Sequence, residues 1–261
     1  MPVLLGAEPF SADGSGDLAR VGALLSHGFT GSPQSMRPWA EALAAAGVTV
    51  RLPRLPGHGT TWQELARTGW PDWYDTLDRA YDELAHRCDA VLVMGLSMGG
   101  TMALRLAEQH PAGSAHPAAG AVLVNASLMT TNRLVPLTPW LKHVVRTTKA
   151  IGGDIKKPGA QEVAYTKVPT AAVASLAQLW GVVRGDLGRI TCPVLSLRST
   201  VDHVVEPAEN AAVLRDGLAP GLLTEVALPD SYHVATLDND APLIVERSLG
   251  LAREVAAGAG R

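Results

Sequence analysis

Gly95-Leu96-Ser97-Met98-Gly99 is the stretch that decides the fold, a G-x-S-x-G pattern between an apolar run (residues 90–94) and a helix-like run (residues 101–110). A serine placed between a strand and a helix, with small neighbours, is typical of a nucleophile elbow, because the tight turn excludes a Cβ at the glycine positions. The same five letters also occur by chance, and a glycine-rich turn can be purely structural. The surrounding sequence therefore has to support the interpretation.

Apolar runs of strand length alternate with longer amphipathic runs along the chain. They predict strands at residues 21–26, 48–52, 90–94, 121–124, 194–197 and 223–228, and helices at 33–46, 71–87, 101–110, 208–214 and 241–256. This alternation is typical of βαβ units around a mostly parallel sheet flanked by helices. With 261 residues the chain can bury one large core. We therefore predict a single domain of the α/β class.

A long excursion interrupts this alternation. About seventy residues separate the predicted strands at 121–124 and 194–197, where a crossover helix would need far fewer. Within it lie a Gly152-Gly153 pair and an apolar helical run at residues 171–183. We expect residues 126–186 to form a small helical cap, or lid, and residues 1–125 and 187–261 to form the core.

Composition excludes several classes of protein. The chain carries 22 basic and 25 acidic residues without long runs of one sign, which predicts no nucleic-acid partner and no footprint for anionic lipid. Cys88 and Cys192 each lie beside a predicted buried strand, which favours reduced thiols in the cytoplasm. We expect no signal peptide at residues 1–10, and no run approaches the ~18 apolar residues of a membrane span, so we also expect no stable membrane insertion. The oligomeric state is not predicted.

A serine nucleophile needs a base and an orienting acid, and the sequence offers candidates for both. After an elbow of this type the acid precedes the histidine along the chain. Asp202 and His233 each follow a predicted strand, which is where functional side chains gather in open α/β sheets. Asp230 and Asp238 are alternative acids, although they share the loop of His233. We therefore predict a triad of Ser97, His233 and Asp202.

The other seven histidines fit the role of base less well. His27 and His58 lie beside glycines in turns before Ser97, and we expect them to brace loops, with a functional role as the alternative. His203 adjoins Asp202 and cannot easily face the same site, so we expect it to be exposed. Surface or capping roles are predicted for the remaining four, which are His86, His110, His116 and His143.

An oxyanion formed at Ser97 would need two backbone N–H donors, each worth roughly 3–4 kcal/mol. The residue after the nucleophile, Met98, supplies the first. The second is expected from the H-G-x-x-G pattern at residues 27–31, where the N–H of Phe29 would point inward. A purely structural glycine turn is the alternative.

With these motifs in place, the chain resembles the small-carboxylesterase and bacterial monoacylglycerol lipase branch of the α/β hydrolases. The matching segments run from about residue 20 to 250 and comprise residues 27–33 (HGFTGSP), 55–60 (LPGHGT), 70–73 (WPDW), 95–100 (GLSMGG), 202–205 (DHVV) and 231–238 (SYHVATLD). The resemblance implies an α/β-hydrolase fold with a helical cap. It also implies cleavage of monoacylglycerols or of short- to medium-chain carboxylic esters through an acyl-enzyme, without cofactor or metal.

The resemblance continues into the predicted cap, at residues 151–156 (IGGDIK) and 162–165 (EVAY). It implies that Glu162 binds a glycerol head group, with an exposed helix carboxylate as the alternative, and that Ile151 contacts a lipid-like substrate. We expect acyl-chain preference to depend on packing around Leu137, Trp140, Ile151 and Leu179.

Other chemistries occur on the same fold. A thioesterase or an amidase would use the same triad, and some members of the fold act mainly as ligand receptors. Halide and epoxide hydrolases place an aspartate at the nucleophile position, where this chain has Ser97. Turnover of a simple ester, and its loss when Ser97 is replaced, separates an enzyme from a receptor.

Overall fold

A seven-stranded sheet lies at the centre of the computed structural model, which describes residues 2–150 and 152–259. Its strands follow the order β1-β3-β2-β4-β5-β8-β9, and only β1 runs antiparallel to its neighbour. A separate pair of strands, β6 and β7, is antiparallel. The strands are β1 Phe10–Ala12, β2 Val21–Ser26, β3 Thr49–Leu52, β4 Ala90–Leu96, β5 Ala118–Val124, β6 Thr147–Lys149, β7 Lys167–Pro169, β8 Val194–Ser199 and β9 Leu223–Leu228.

Helices cover both faces of the sheet. They are α1 Arg37–Ala45, α2 Trp62–Leu65, α3 Trp70–Ala85, α4 Met98–Gln109, α5 Thr138–Leu141, α6 Thr170–Asp186, α7 Pro207–Gly217 and α8 Ala241–Ala259. Short 3₁₀ turns lie at Gly16–Leu18, Pro33–Ser35, Val135–Leu137, Leu187–Arg189 and Ala235–Leu237. The predicted mostly parallel sheet flanked by helices is therefore confirmed. Strand β1 was not predicted, because three residues of partial burial leave no apolar run.

Two apolar layers hold the helices to the sheet, because alternate residues of each strand point to opposite faces. On one face Leu24 and Val93 pack with the buried stripe of α3, which includes Trp73 and Leu77. On the other face the intervening residues pack with α1 and α8. This double burial explains why the central strands are uninterrupted apolar runs.

The register of the parallel strands brings their carboxyl ends to one edge. Ser26 of β2 pairs with Gly95 of β4, and Val124 of β5 lies between β4 and Leu197 of β8. The loops that follow β2, β4, β5, β8 and β9 therefore emerge side by side. In open α/β sheets this edge is where ligands bind.

The segment between β5 and β8 contains more than the predicted helix. Helix α6 coincides with the apolar run expected at residues 171–183 and packs against α4, with Leu176 and Leu179 buried. The structure adds the β6–β7 pair, whose strands are too short and too far apart in sequence to be predicted locally. Both cysteines are buried and free, as expected. Among the described residues no helix is both long and apolar enough to cross a membrane.

Candidate active site

Ser97 sits at the sharp turn between β4 and α4 with φ +56° and ψ −120°. A non-glycine residue held at such angles costs about 1–3 kcal/mol, which the surrounding structure must offset. The Ser97 N–H donates to the carbonyl of Val124 at 2.9 Å, which anchors the turn on β5. A Cβ added to Gly95 would lie 2.1 Å from the backbone of Gly99, so no larger residue fits. The predicted elbow is therefore present in the structure.

The Asp202 and His233 side chains are in direct contact. His233 Nδ1 lies 2.7 Å from Asp202 Oδ2, and the Asp202 side chain is completely buried. Its other oxygen accepts the N–H groups of Val204 and Val205 at 2.8 and 2.9 Å. Burial alone would raise the pKa of Asp202, but the contact with His233 and the two N–H donors outweigh it and hold the pKa below its usual value. Asp202 is thus ionised and can orient the imidazole.

Ser97 and His233 line the same cavity of about 270 Å³. Within the described residues no hydrogen bond joins the Ser97 hydroxyl to His233. Such contacts are often long in a ligand-free site and tighten when substrate binds. The two alternative acids lie elsewhere: Asp230 pairs with Lys156, and Asp238 accepts backbone N–H groups from the segment that follows β6. Of the acids considered, the structure brings only Asp202 to His233.

The loop after β2 passes directly beside the nucleophile. A Cβ built on Gly28 would lie 3.4 Å from the Cβ of Ser97, so the bare glycine allows this approach. Phe29 lines the cavity, and Met98 begins α4. In the described part of the chain, neither of their backbone N–H groups donates to a backbone carbonyl. A free N–H at the start of a helix is suited to bind negative charge.

His27 and His58 brace this loop through hydrogen bonds and ring packing on the side away from the cavity. His27 Nδ1 donates to the Gly28 carbonyl at 3.0 Å, while its Nε2 accepts the N–H of Leu55 at 3.2 Å. Burial lowers the pKa of His27 to about 4, so the ring is neutral. His58 is also completely buried, donates to the Pro56 carbonyl and packs edge-on against His27. The bracing role expected for both histidines is confirmed, and neither lines the cavity.

Glu162 lies in a loop beside the cavity rather than on an exposed helix. One carboxylate oxygen accepts the N–H of Gly153 at 3.0 Å, and the other would lie 3.1 Å from a Cβ on Gly31. Burial raises the pKa of Glu162. This effect is larger than the lowering caused by the hydrogen bond from Gly153 and by the charge of His233. Glu162 therefore faces the same space as the H-G-x-x-G loop. The second predicted contact, Ile151, lies outside the described residues.

The apolar side of the cavity is formed by residues other than those predicted. Leu179 is completely buried in the core, whereas Leu137 and Trp140 are 47% and 70% exposed, and none of the three lines the cavity. That acyl-chain preference depends on packing around these residues stays a prediction, because the facing directions of side chains between β5 and β8 follow from tertiary packing rather than from local sequence. The apolar lining includes Val135, Val168, Val173, Leu176, Trp180 and Val205.

Two residues that the sequence analysis missed support the histidine loop. Asn125, at φ +46°, donates its side-chain amide to the His233 carbonyl at 2.8 Å and to the Ser199 hydroxyl at 2.9 Å. The Ser199 hydroxyl in turn donates to the Tyr232 carbonyl. Both residues end or follow a strand at the carboxyl edge, and this position was the signal that could have revealed them.

Asp154 was also missed as a site residue. Its Oδ2 accepts the backbone N–H groups of His203 at 3.1 Å and His233 at 3.2 Å, and its Oδ1 lies 2.8 Å from His203 Nδ1. The carbonyl of Asp154 also accepts the N–H of Val234. One carboxylate thus ties together the two loops that carry Asp202 and His233. His203 is exposed, as predicted.

A mostly parallel sheet, a strained serine after β4 and a histidine–carboxylate pair at the same edge define a hydrolase of the α/β class. The sequence matches the Alpha/beta hydrolase family over residues 23–246, and the chain belongs to that family. Among the described residues, no group of three or more His, Cys, Asp or Glu side chains could hold a metal ion.

Individual relatives indicate which kind of bond this hydrolase cleaves. The chain is 46% identical to a thermostable monoacylglycerol lipase of Bacillus sp. (strain H-257), over 95% of each chain, and 27% identical to a carboxylesterase of Bacillus subtilis (strain 168), over 91% and 92%. A structure from work on the metagenome-derived lipolytic enzymes LipS and LipT superposes with a TM-score of 0.90 at 41% identity, covering 97% of this chain and all of the other. The protein is therefore a carboxylic ester hydrolase.

Proposed function

We propose that the protein hydrolyses monoacylglycerols, or short- to medium-chain carboxylic esters, with Ser97 as nucleophile, His233 as base and Asp202 as orienting acid. The observation that carries the proposal is the strained Ser97 facing the same cavity as the buried His233–Asp202 pair. The 46% identity to a monoacylglycerol lipase supports the choice of substrate.

The proposed reaction uses side chains and backbone N–H groups of the chain, together with one water molecule. Ser97 Oγ attacks the ester carbonyl carbon while His233 Nε2 takes the hydroxyl proton, and Asp202 stabilises the charged imidazole from the Nδ1 side. The oxyanion receives the N–H groups of Phe29 and Met98. His233 then protonates the leaving alcohol, and a water molecule repeats the sequence to release the fatty acid and restore Ser97.

Residues 126–186 are proposed as a cap that supplies both halves of the substrate site. Val168, Leu176 and Trp180 would contact the acyl chain, because they form the apolar wall of the cavity. Glu162 would accept hydrogen bonds from the glycerol hydroxyls, since its carboxylate faces the H-G-x-x-G loop. A free glycerol head group has two hydroxyls to donate, whereas a simple alkyl ester has none.

Loss of ester hydrolysis in Ser97→Ala tests the nucleophile. Catalysis of a p-nitrophenyl ester should fall by at least about a thousandfold, because no other group replaces the attacking oxygen. Ser127 is the matched control: it is a buried serine that lines the same cavity but does not occupy the elbow. Ser127→Ala should keep most of the activity. Equal activity in wild type and Ser97→Ala would disprove the assignment.

The head-group proposal is tested by comparing two esters of one fatty acid in Glu162→Gln. Loss of a charged acceptor should raise KM for the glyceryl ester by about tenfold, the effect of one hydrogen bond to a charged group. The ethyl ester serves as the internal control, because it offers no hydroxyl to Glu162. An equal loss toward both esters would contradict head-group binding.

We also propose a reducing compartment, the cytoplasm, for this protein. Cys88 and Cys192 are both free and buried, and burial raises the pKa of each thiol. Unpaired cysteines are the usual condition of proteins kept among cellular reductants.

A further inference from the structure

The stretch before Asp154 differs in charge from the rest of the chain. Residues 109–153 contain no Asp or Glu, but four basic residues, so this stretch carries a formal charge of +4 in a chain of net charge −3. The four are exposed, and the ion pairs found among the described residues involve none of them. They are Arg133, Lys142, Arg146 and Lys149. The net charge of the whole chain indicated no footprint for anionic lipid. It does not show this local excess of basic residues, because acidic residues elsewhere in the chain outweigh them.

Large apolar side chains are exposed in the same stretch. Residues 133–144 form a nearly continuous run of turn, 3₁₀ and α-helical conformation. Positions three or four apart lie on one side of such a run, and the exposed Leu134, Leu137, Trp140 and Val144 have that spacing. Val145 directly follows the run and is also exposed. The exposed fractions are Leu134 61%, Leu137 47%, Trp140 70%, Val144 84% and Val145 40%. We call these five residues, together with Arg133, Lys142 and Arg146, the basic-apolar face.

The basic-apolar face adjoins residues that line the active-site cavity. Asn132 and Val135 line that cavity, and they flank Arg133 and Leu134 of the face along the chain. Thr148 and Lys149, which follow the face along the chain, also line the cavity. A surface on which this face rests would therefore lie close to the cavity that contains Ser97.

We propose that the basic-apolar face docks reversibly on the surface of an anionic phospholipid bilayer. Exposed tryptophan and aliphatic side chains enter the boundary between head groups and acyl chains, while Lys and Arg beside them bind lipid phosphates. A soluble partner of ordinary surface polarity would leave Val144 and Trp140 without an apolar counterpart. If the proposed function is correct, docking places the cavity where an amphiphilic ester partitions.

Vesicle sedimentation tests the proposal without any turnover. The whole chain should bind vesicles of phosphatidylcholine containing phosphatidylglycerol more tightly than vesicles of phosphatidylcholine alone, and added salt should weaken the binding. Each basic residue at such a surface raises partitioning about fivefold, so Lys142→Gln with Arg146→Gln should lower it about 25-fold. The matched control removes the same charge from α8, as Arg247→Gln with Arg253→Gln, where both residues are exposed.

A second variant separates the apolar contribution. Trp140→Ser with Val144→Ser should reduce binding to both kinds of vesicle, because it removes insertion rather than charge. Both double variants should hydrolyse a water-soluble short ester like wild type, which shows that they fold.

Three results would overturn the proposal: equal binding by the Lys142/Arg146 variant and wild type, equal binding to the two kinds of vesicle, or an equal loss in the α8 control. A protein dimer that Trp140→Ser dissociates, without vesicle binding in wild type, would assign the face to a second copy instead. Absence of ester hydrolysis with vesicle binding intact would reject only the proposed function.

Discussion

Gly99→Ala should disable the site by displacing the nucleophile elbow. A Cβ at position 99 would lie 2.0 Å from the carbonyl oxygen of Ser26 and 2.8 Å from that of His27. Ordinary contact begins near 3.4 Å, so α4 must move away from β2 by more than 1 Å. Both colliding atoms are backbone, and no side chain can rotate to relieve the clash. A misplacement of this size lowers the catalytic rate about a hundredfold. Overpacking of the core also lowers the free energy of unfolding by about 1–3 kcal/mol or more.

The assay measures p-nitrophenyl ester hydrolysis and thermal unfolding across a graded series. At Gly100 an added Cβ would lie 2.8 Å from the Cβ of Ala126, a milder clash, so Gly100→Ala should lose less activity. At Gly181, within α6, an added Cβ meets nothing within 4 Å. Gly181→Ala should therefore stabilise the protein by about 0.5–1 kcal/mol through lower chain entropy in the unfolded state.

The test of the close-approach argument is the order of the three variants in activity and melting temperature. If Gly99→Ala unfolds completely, Gly100→Ala still has to fall between it and wild type. The argument from close approach is refuted if Gly99→Ala retains wild-type rate and melting temperature, or if Gly181→Ala destabilises as much as Gly99→Ala.

Three further predictions concern carboxylates. Asp202→Asn should lower kcat about 10⁴-fold, because the amide no longer holds the imidazole in the productive tautomer. Asp154→Ala should lower kcat about tenfold with little change in KM, because it releases the hydrogen bonds that hold His203 and His233. Glu108 is completely buried in α4, and burial raises its pKa from 4.5 to about 8. The folded protein thus keeps a proton that the unfolded chain releases, so its melting temperature should fall as pH rises from 4.5 to 8, and Glu108→Gln should flatten this dependence.

Each carboxylate prediction has its own control. Asp238→Asn on the same loop as His233 should impair kcat far less than Asp202→Asn, and equal losses would favour the alternative acid. Asp154→Asn keeps an acceptor oxygen and should recover part of the rate, so identical effects of Asn and Ala would argue against positioning by hydrogen bonds. A melting temperature of Glu108→Gln that follows wild type at every pH would assign the titration to another group.

The strands and long helices were predictable because their signal is local. The run at residues 90–94 is apolar at every position since both faces of β4 are covered, and the stripe of α3 repeats at helical spacing. Strand β1 and the β6–β7 pair were not predictable, because three residues carry no periodicity and their partners lie about 20 to 40 positions away. The Ser97 elbow and the histidine after β9 follow from chain order, whereas Asn125, Ser199 and Asp154 act through contacts that no local pattern encodes.

Sequence alone determined the sheet class, the elbow around Ser97 and the order of its expected partners, since each depends on residues next to one another in the chain. Only the tertiary structure decided which acid contacts His233, which side chains line the cavity and which remain exposed. The physical reason is that Asp202 and Asp230 are equivalent as chain neighbours of a strand end, and only the parallel register places the loop after β8 against that after β9. The same holds for Trp140, whose apolar side chain the fold leaves exposed.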